Sequence, residues 1–342
     1  MKPALLNGIE LPIIQAPMAG VQDWELALAV ARGGGLGSIP CGMLGVEQIL
    51  QQVQRFREQS DAPFNLNFFC HAMPAVEPAV LRQWESLLSP YYAELGIALQ
   101  ADDSALRRPF SQEIADAIAP HAPAVLSFHF GLPSPSLVQQ VKGWGATVLA
   151  SATTLEEGLW LQERGADIVI AQGVEAGGHR GMFLSTDLSL QLPTAQLLEQ
   201  LLSHLSLPVV AAGGIDSADR VAALLEKGAS GVQVGTSYLL CTEAKTSDLQ
   251  RELVRDRQAE TALTNVFSGR PARGIRNRAM RELGDICPQA PAFPYAAAAM
   301  APLRKAAEGR GLADFTPLWS GTRRDGCRAV SATELTRDLW PY

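Results

Sequence analysis

Short apolar runs alternate along the chain with longer segments in which apolar residues recur every three or four positions. The runs are mostly apolar and β-branched throughout, as in strands that are buried on both faces of a parallel sheet. Eight such runs are present, at residues 13–16, 36–38, 64–69, 124–128, 147–150, 168–171, 208–211 and 231–234. Eight strand–helix units predict an α/β fold of the closed (β/α)8 type, a TIM barrel. A doubly wound parallel sheet is the alternative fold.

The segments between the runs predict helices. Apolar residues recur with helical spacing over 46–57, and a second helix is predicted over 24–31. A third is predicted over 154–164, where Thr154 and Glu157 have the spacing of a capping box. After the seventh run, Asp216 is predicted to cap the next helix.

Two segments interrupt this alternation. Residues 70–120 are rich in proline with a helical piece near 80–88, which predicts an insertion. After residue 240 the chain is charged and helical over 245–263, and rich in proline and alanine over 286–302. We therefore expect a barrel over 1–240, with the insertion at about 70–120. A helical extension over 241–342 is expected to cover the barrel and its active site.

Composition narrows the class of protein. The 342 residues are 47 % hydrophobic and 18 % charged, which suffices for a sizeable core and excludes a globally disordered chain. The net charge is −7, and no tract of five or more lysines and arginines appears, so nucleic-acid binding is not expected. No apolar run approaches ~20 residues, so no membrane span is expected.

The cysteines argue against a disulfide framework. There are five of them, an odd number, and no pair has the C-x-x-C spacing of many zinc sites. No H-E-x-x-H motif or other clustered ligand set appears, so no metal is expected. The first twelve residues, MKPALLNGIELP, lack the continuous apolar segment of a signal peptide. A reducing, cytoplasmic location is therefore expected.

Glycine-rich turns follow the last two runs. Gly213 and Gly214 come directly after the seventh run, and the eighth ends in Gln233-Val234-Gly235-Thr236. Glycine lets backbone N–H groups approach a phosphate, and the loops after strands 7 and 8 are the usual phosphate site of this barrel. The alternative is that these glycines only form tight turns. Two such turns on neighbouring strands favour a phosphate site.

Histidines and an asparagine lie at other strand ends. His179 follows the sixth run in a segment, 172–181, that contains four glycines. Imidazole titrates near neutrality and can take a proton from a carbon acid, although a loop histidine satisfied by its neighbours is the alternative. His129 ends the fourth run and either orients a substrate or packs in the core. Asn67 ends the third run and either contacts a ligand or caps a turn.

Seven segments along the chain form a pattern typical of one enzyme family: 15–21, 63–69, 127–133, 165–181, 208–215, 231–236 and 268–273. Together they resemble the nitronate monooxygenases, formerly called 2-nitropropane dioxygenases, and among them bacterial class I. FMN-dependent enoyl-ACP reductases are similar near 175–179, whereas 127–133 and 172–181 favour nitronate oxidation. Position 65 departs from the family, because relatives more often have glycine where this chain has Asn65.

The resemblance implies a reaction and a cofactor. The chain would bind FMN and oxidise alkyl nitronates, propionate 3-nitronate above all, with O2 to a carbonyl compound and nitrite or nitrate. One-electron transfer to the flavin would start the reaction, and detoxification would be its role. No metal and no reduced nicotinamide are implied. Nucleic acids and membranes are not expected partners, and the chain is expected to be a monomer or homodimer.

The resemblance also implies roles for individual residues. His179 matches the catalytic base, and Met18 would lie against the flavin ring system. His129 is a candidate substrate contact. The implied cofactor contacts are Met18, Asn67, Gln172, Gly177, Gly213, Gly214, Gln233, Val234, Gly235 and Thr236.

Two other functions stay open at this point. The first is an FMN-dependent NAD(P)H reductase of quinones or enoyl thioesters on the same fold. The second is a protein that binds flavin or a phosphate ligand without catalysis, against which His179 among four glycines argues.

Overall fold

The eight apolar runs form parallel strands in the computed structural model, which describes residues 6–102 and 106–342. Around the sheet they follow one another in the order 13–15, 231–234, 209–212, 168–172, 147–152, 125–129, 64–69 and 37–40. A parallel bridge from Ile14 to Leu36 joins the two ends of this order. The predicted TIM barrel is therefore confirmed, and the doubly wound alternative is wrong. In chain order the strands are β1 (Ile13–Gln15), β2 (Gly37–Pro40), β3 (Phe64–Phe69), β4 (Val125–His129), β5 (Thr147–Ala152), β6 (Ile168–Gln172), a separate two-residue β7 (Gly178–His179), β8 (Val209–Ala212) and β9 (Gly231–Val234).

Helices connect the strands. The helices predicted over 24–31, 46–57 and 154–164 are confirmed to within one residue at each end. A 3-10 helix, Thr236–Leu240, follows the last barrel strand. The α-helices of this part are α1 (Trp24–Arg32), α2 (Val46–Arg57), α3 (Pro78–Leu95), α4 (Gln112–Ile118), α5 (Pro135–Gly143), α6 (Leu155–Glu163), α7 (Thr194–His204) and α8 (Ala218–Glu226).

Two of the predicted helices have N-caps that can be compared with the prediction. At α6, the Thr154 hydroxyl accepts a hydrogen bond from the Glu157 N–H at 3.3 Å, as predicted. At α8, the prediction that Asp216 is the cap is wrong, because the Ser217 hydroxyl accepts from the Arg220 N–H instead. Aspartate and serine both cap helices well, so residue type alone does not choose between adjacent positions. The Asp216 carboxylate instead pairs with two arginines, described below.

The inserted segment is shorter than predicted. Helix α4 packs against α2 and α5 and so belongs to the ring of helices around the barrel. The addition is centred on α3, which packs against a later helix, α11 (Ala296–Glu308). There the Trp84 indole donates to the Ala296 carbonyl at 3.2 Å, and the Tyr92 hydroxyl donates to the Ala299 carbonyl at 2.6 Å.

The extension after residue 240 contains strands as well as helices. The prediction of helix over 245–263 is wrong for its second half, where α9 (Asp248–Arg255) gives way to β10 (Thr261–Thr264). Strand β10 pairs antiparallel with β11 (Ala272–Ile275), and β11 pairs antiparallel with β7. A four-residue strand is too short to show a period, and its partner supplies the stability. The remaining helices are α10 (Arg278–Leu283), α11 and α12 (Ala332–Asp338).

Clusters of buried apolar side chains hold these parts together. The main core lies between the barrel strands and the outer helices and includes Phe56, Leu66 and Val232, all fully buried. A smaller cluster fills the barrel interior around Ile14, and a third joins α3 to α11. Within the described ranges, no helix is both long enough and apolar enough to cross a membrane.

Candidate functional site

One cavity opens at the carboxyl ends of the barrel strands, where the candidate residues were predicted to lie. All of these candidates line the cavity, and so do segments that were not predicted from the sequence. Twelve predicted residues line it: Met18, Asn67, His129, Gln172, Gly177, His179, Gly213, Gly214, Gln233, Val234, Gly235 and Thr236.

A cradle of backbone donors forms one end of the cavity. The N–H groups of Gly213, Gly214, Gly235 and Thr236 have no acceptor among the described residues. Gly213 and Gly214 have φ of +119° and +66°, a region that favours glycine. A Cβ on Gly213 would lie 2.8 Å from the Thr194 hydroxyl oxygen and 2.9 Å from the Ala176 nitrogen, so no larger residue fits at this turn. Four N–H groups that lack an acceptor and border one cavity are suited to a phosphate or another anion.

Polar side chains line the middle of the cavity. The Asn67 amide donates to the Ser127 hydroxyl at 2.9 Å and lines the cavity, whereas Asn65 is fully buried in the barrel and does not. The structure thus places Asn67, and not Asn65, at the cavity. The Oε1 atom of Gln233 is buried and has no hydrogen-bond partner among the described residues. An unpartnered buried acceptor is costly and indicates a ligand that donates to it.

Gln172 holds the loop that carries His179. Its Nε2 donates to the His179 carbonyl at 2.9 Å, and its Oε1 accepts from the Gly181 N–H at 2.7 Å. The guanidinium of Arg180, fully buried, donates to the Gln172 and Gly173 carbonyls at 2.7 Å each. The amide of Gln172 therefore shapes this loop as well as facing the cavity.

His179 lies on β7 and is fixed from the extension. Its backbone pairs with Ala272 of β11, and its Nε2 lies 2.8 Å from the Ser268 hydroxyl. Burial, followed by repulsion from His129 when it is protonated and from Arg107 and Arg270, holds the pKa of His179 well below its usual value. A lowered pKa leaves this imidazole neutral at pH 7, which is the form that accepts a proton.

His129 is both packed and at the cavity. Its Nε2 lies 3.1 Å from the His179 carbonyl, which can only accept, so His129 carries its proton on Nε2. Burial lowers the pKa of His129 to about 4. At neutral pH it is therefore an uncharged donor that supports the His179 loop.

An aromatic wall surrounds His179, and the sequence analysis missed it. The rings of Trp319, Phe293 and Phe130 lie 5.4, 5.5 and 6.0 Å from the His179 ring. Phe130 has φ of +69°, an uncommon conformation for a phenylalanine, and the Arg270 guanidinium lies 4.0 Å from its ring centre. Phe293 and Trp319 come from the extension, more than a hundred residues after His179. Their local sequence does not predict that they lie near it.

The charges at the cavity favour anions. Its described lining includes three arginines, Arg107, Arg304 and Arg323, and one carboxylate, Glu175. The Glu175 carboxylate accepts from the N–H and hydroxyl of Thr194, at 2.9 and 2.7 Å. No cluster of three or more histidine, cysteine, aspartate or glutamate side chains that could hold a metal occurs within 6–102 and 106–342.

Comparison with known proteins supplies relatives over the whole chain. A family model described as nitronate monooxygenase matches residues 3–341. A nitronate monooxygenase from Pseudomonas aeruginosa is 40 % identical over 338 residues, which cover 98 % of this chain and 96 % of the relative. One from Paraburkholderia phytofirmans is 37 % identical over 339 residues, which cover 98 % and 92 %.

Solved structures agree in fold. The structure of a nitroalkane oxidase from Streptomyces ansochromogenes matches with a TM-score of 0.89 and 36 % identity, covering 97 % of this chain and 95 % of that one. FabK from Thermotoga maritima matches with a TM-score of 0.69 and 22 % identity, covering 98 % and 93 %. At that identity the second match supports the barrel fold alone.

Proposed function

We propose that this chain, which belongs to the nitronate monooxygenase family, oxidises alkyl nitronates with O2 and uses FMN as its cofactor. The products would be a carbonyl compound and nitrite or nitrate, and propionate 3-nitronate is the first substrate to test. The observation that carries the proposal is one cavity that joins an anion cradle to a neutral histidine. Neither feature alone distinguishes an enzyme from a phosphate-binding protein.

The residues of the cavity fit FMN. The four N–H groups of the cradle would hold its phosphate, and the orphaned Gln233 Oε1 would accept from a donor on the ring system. Met18 and Asn67 line the same space and would contact the rings. When bound, the flavin would accept electrons from the substrate and pass them to O2.

The charges suit an anionic substrate. A nitronate carries a negative charge on its nitro group, and Arg107 and Arg304 face the cavity in which it would bind. Burial lowers the pKa of Arg107 to about 10, so its guanidinium stays charged at pH 7. The aromatic rings around His179 would lower the local polarity and so strengthen these interactions.

His179 would act on protons. A preformed nitronate needs no base, whereas a neutral nitroalkane must lose a proton from the carbon beside its nitro group. The Ser268 hydroxyl also lies 3.3 Å from the Arg270 carbonyl, to which it can donate. If His179 donates from Nε2 to Ser268, its Nδ1, which has no hydrogen-bond partner within the described ranges, keeps a lone pair for that proton.

The proposal extends to the setting of the enzyme. All five cysteines are free thiols in the structure, which is consistent with the reducing cytoplasm that the sequence predicts. A monomer or homodimer and a role in detoxification remain predictions.

An anaerobic spectrum of the purified protein tests the function. We expect a yellow protein whose flavin absorbance changes on addition of propionate 3-nitronate and does not change with NADH or NADPH. Bleaching by either nicotinamide without a response to nitronate would overturn the proposal in favour of an FMN-dependent reductase of quinones or enoyl thioesters. A colourless protein with no affinity for FMN would refute the cofactor assignment.

A further inference from the structure

The phosphate cradle has a third wall that comes from the extension. The Gly321 N–H donates to the Thr236 hydroxyl at 2.9 Å, and the Thr322 N–H donates to the Glu175 carbonyl at 3.0 Å. A Cβ on Gly177 would lie 2.5 Å from the Gly321 nitrogen, so the two backbones are in direct contact. Residues 320–322 are thus held against Thr236 and the 175–177 loop, although they follow the last barrel strand by more than eighty positions.

Two adjacent arginines in this segment point to different places. Arg324 is buried and donates to the Asp256 and Arg257 carbonyls, which anchors the segment to the protein. Arg323 lines the cavity and is 42 % exposed. Its Cδ lies 3.9 Å from the position that a Cβ on Gly214 would take. Arg323 is therefore the side chain of this segment that faces the cradle with a charge.

The charges around Arg323 leave a positive surplus. The Asp216 carboxylate, 5 % exposed, lies 3.8 Å from Arg323 and 3.7 Å from Arg220. One carboxylate between two guanidinium groups leaves one positive charge. The other carboxylate nearby, Glu175, faces the positive charges of Arg180 and Arg273 instead. A phosphate at the cradle would neutralise the surplus.

Thr236 links the segment to the cradle. Its hydroxyl oxygen accepts the Gly321 N–H, so its own proton is available to another acceptor, and none is found among the described residues. A phosphate oxygen at the cradle would accept it. Docking of the segment would thereby orient a further donor toward the anion.

We propose that the C-terminal segment completes the flavin site and that Arg323 is the counter-charge of the FMN phosphate. This inference rests on the proposed FMN cofactor and adds to it a residue outside the barrel. The cradle of N–H groups would position the phosphate, and Arg323 would supply charge that backbone groups lack. The affinity for FMN then depends on a side chain from the last twenty residues of the chain.

Equilibrium binding to the flavin-free full-length protein tests this, with FMN and riboflavin as the two ligands. Riboflavin has the same ring system without the phosphate. We expect Arg323→Gln to raise the Kd for FMN about ten- to a hundredfold, the range of a hydrogen bond to a charged group, and to leave the Kd for riboflavin unchanged. Arg323→Lys is expected to recover part of the FMN affinity, because the charge is kept and the fork geometry is lost.

Arg220→Gln is the matched control. Arg220 pairs with the same carboxylate, Asp216, but does not line the cavity. We expect its Kd for FMN to change less than about threefold, because Arg220 lies outside the cavity and solvent screens its charge from a phosphate there. An equal loss in both variants would mean that net charge alone matters, and would overturn the assignment of Arg323.

Other results also decide the question. If Arg323→Gln binds FMN as tightly as the unmodified protein, the counter-charge is wrong while the proposed function stands. If Arg323→Gln raises the Kd for riboflavin as much as the Kd for FMN, Arg323 only supports the fold of the segment. That result would also refute the inference. If the unmodified protein binds riboflavin and FMN equally, neither the cradle nor Arg323 binds phosphate.

Discussion

Replacing His71 with phenylalanine should make the protein more resistant to acid. His71 is 5 % exposed and lies among aromatic rings, with Phe293 at 4.7 Å and Phe130 at 6.2 Å between ring centres. Its two ring nitrogens have no partner of normal geometry among the described residues. Burial lowers the pKa of His71 to about 4, with the Arg107 backbone opposing the shift in part and the charge of Arg270 adding to it.

The size of the effect follows from linkage between protonation and folding. An unfolded histidine titrates near 6.5, so between that pH and the folded value only the unfolded chain binds the proton. Above pH 6.5, His71 is neutral in both states and does not reduce the stability of the folded protein. The stability falls as the pH drops from about 6.5 toward about 4. At ~1.36 kcal/mol per pKa unit, His71 costs the folded state about 2 kcal/mol at pH 5 and about 3 kcal/mol at full protonation.

Urea unfolding at pH 7 and pH 5, with excess FMN and tryptophan fluorescence, measures the difference. At pH 7 we expect His71→Phe to lie within about 1 kcal/mol of the unmodified protein, because an apolar ring of similar size enters an apolar site. On acidification from pH 7 to pH 5, the free energy of unfolding of His71→Phe should fall by about 2 kcal/mol less than that of the unmodified protein. His121→Asn, on an exposed turn, is the matched control and is expected to follow the unmodified protein at both pH values.

Two outcomes would refute this reasoning. Equal losses on acidification would show that the His71 ring binds a proton as readily in the folded protein as in the unfolded chain. A loss of several kcal/mol by His71→Phe at pH 7 itself would show that the ring nitrogens make hydrogen bonds that the phenylalanine cannot replace.

Three further changes give separate tests. His179→Asn should lower kcat/KM for nitroethane by about 10²- to 10⁴-fold and spare nitronate oxidation, measured by O2 uptake; equal losses would contradict the role of base. Gly214→Val should yield protein with little flavin, because φ at this position is +66°; full flavin content on purification would contradict the phosphate placement. Gly37→Ala should destabilise the fold by about 3 kcal/mol or more in urea, since its Cβ would lie 2.0 Å from the Ala27 oxygen. Gly143→Ala, where nothing lies within 4 Å, is its control, and a similar loss there would refute the steric reason.

The sequence predicts best where one element determines its own structure. The eight strands are buried on both faces, so each run is apolar whatever its neighbours are, and the helix over 46–57 has a full apolar stripe. The position of the site follows from the barrel, because loops after parallel strands converge on one face. Asn67 and His179 could therefore be placed before the structure was known.

Long-range packing accounts for what the sequence could not show. Trp319 and Arg323 line the cavity, and Phe293 packs beside His179, only because the extension folds back across the barrel. Nothing in their local sequence encodes that path. Strand β10 lies in a charged stretch and is stable only with β11 beside it. These contacts depend on tertiary structure, which overrides local propensity.

The pairing of β7 with β11 makes the length of one loop matter more than its sequence. His179 faces the cavity because it is opposite Ala272, and a shift of one residue in that register would turn its side chain to the other face of the sheet. The connection from β10 to β11 spans residues 265–271 and also carries Ser268. A single deletion or insertion there would misplace the imidazole while the barrel and its phosphate cradle stay folded. If this chain binds flavin as proposed, a change of length in this loop would thus separate flavin binding from catalysis.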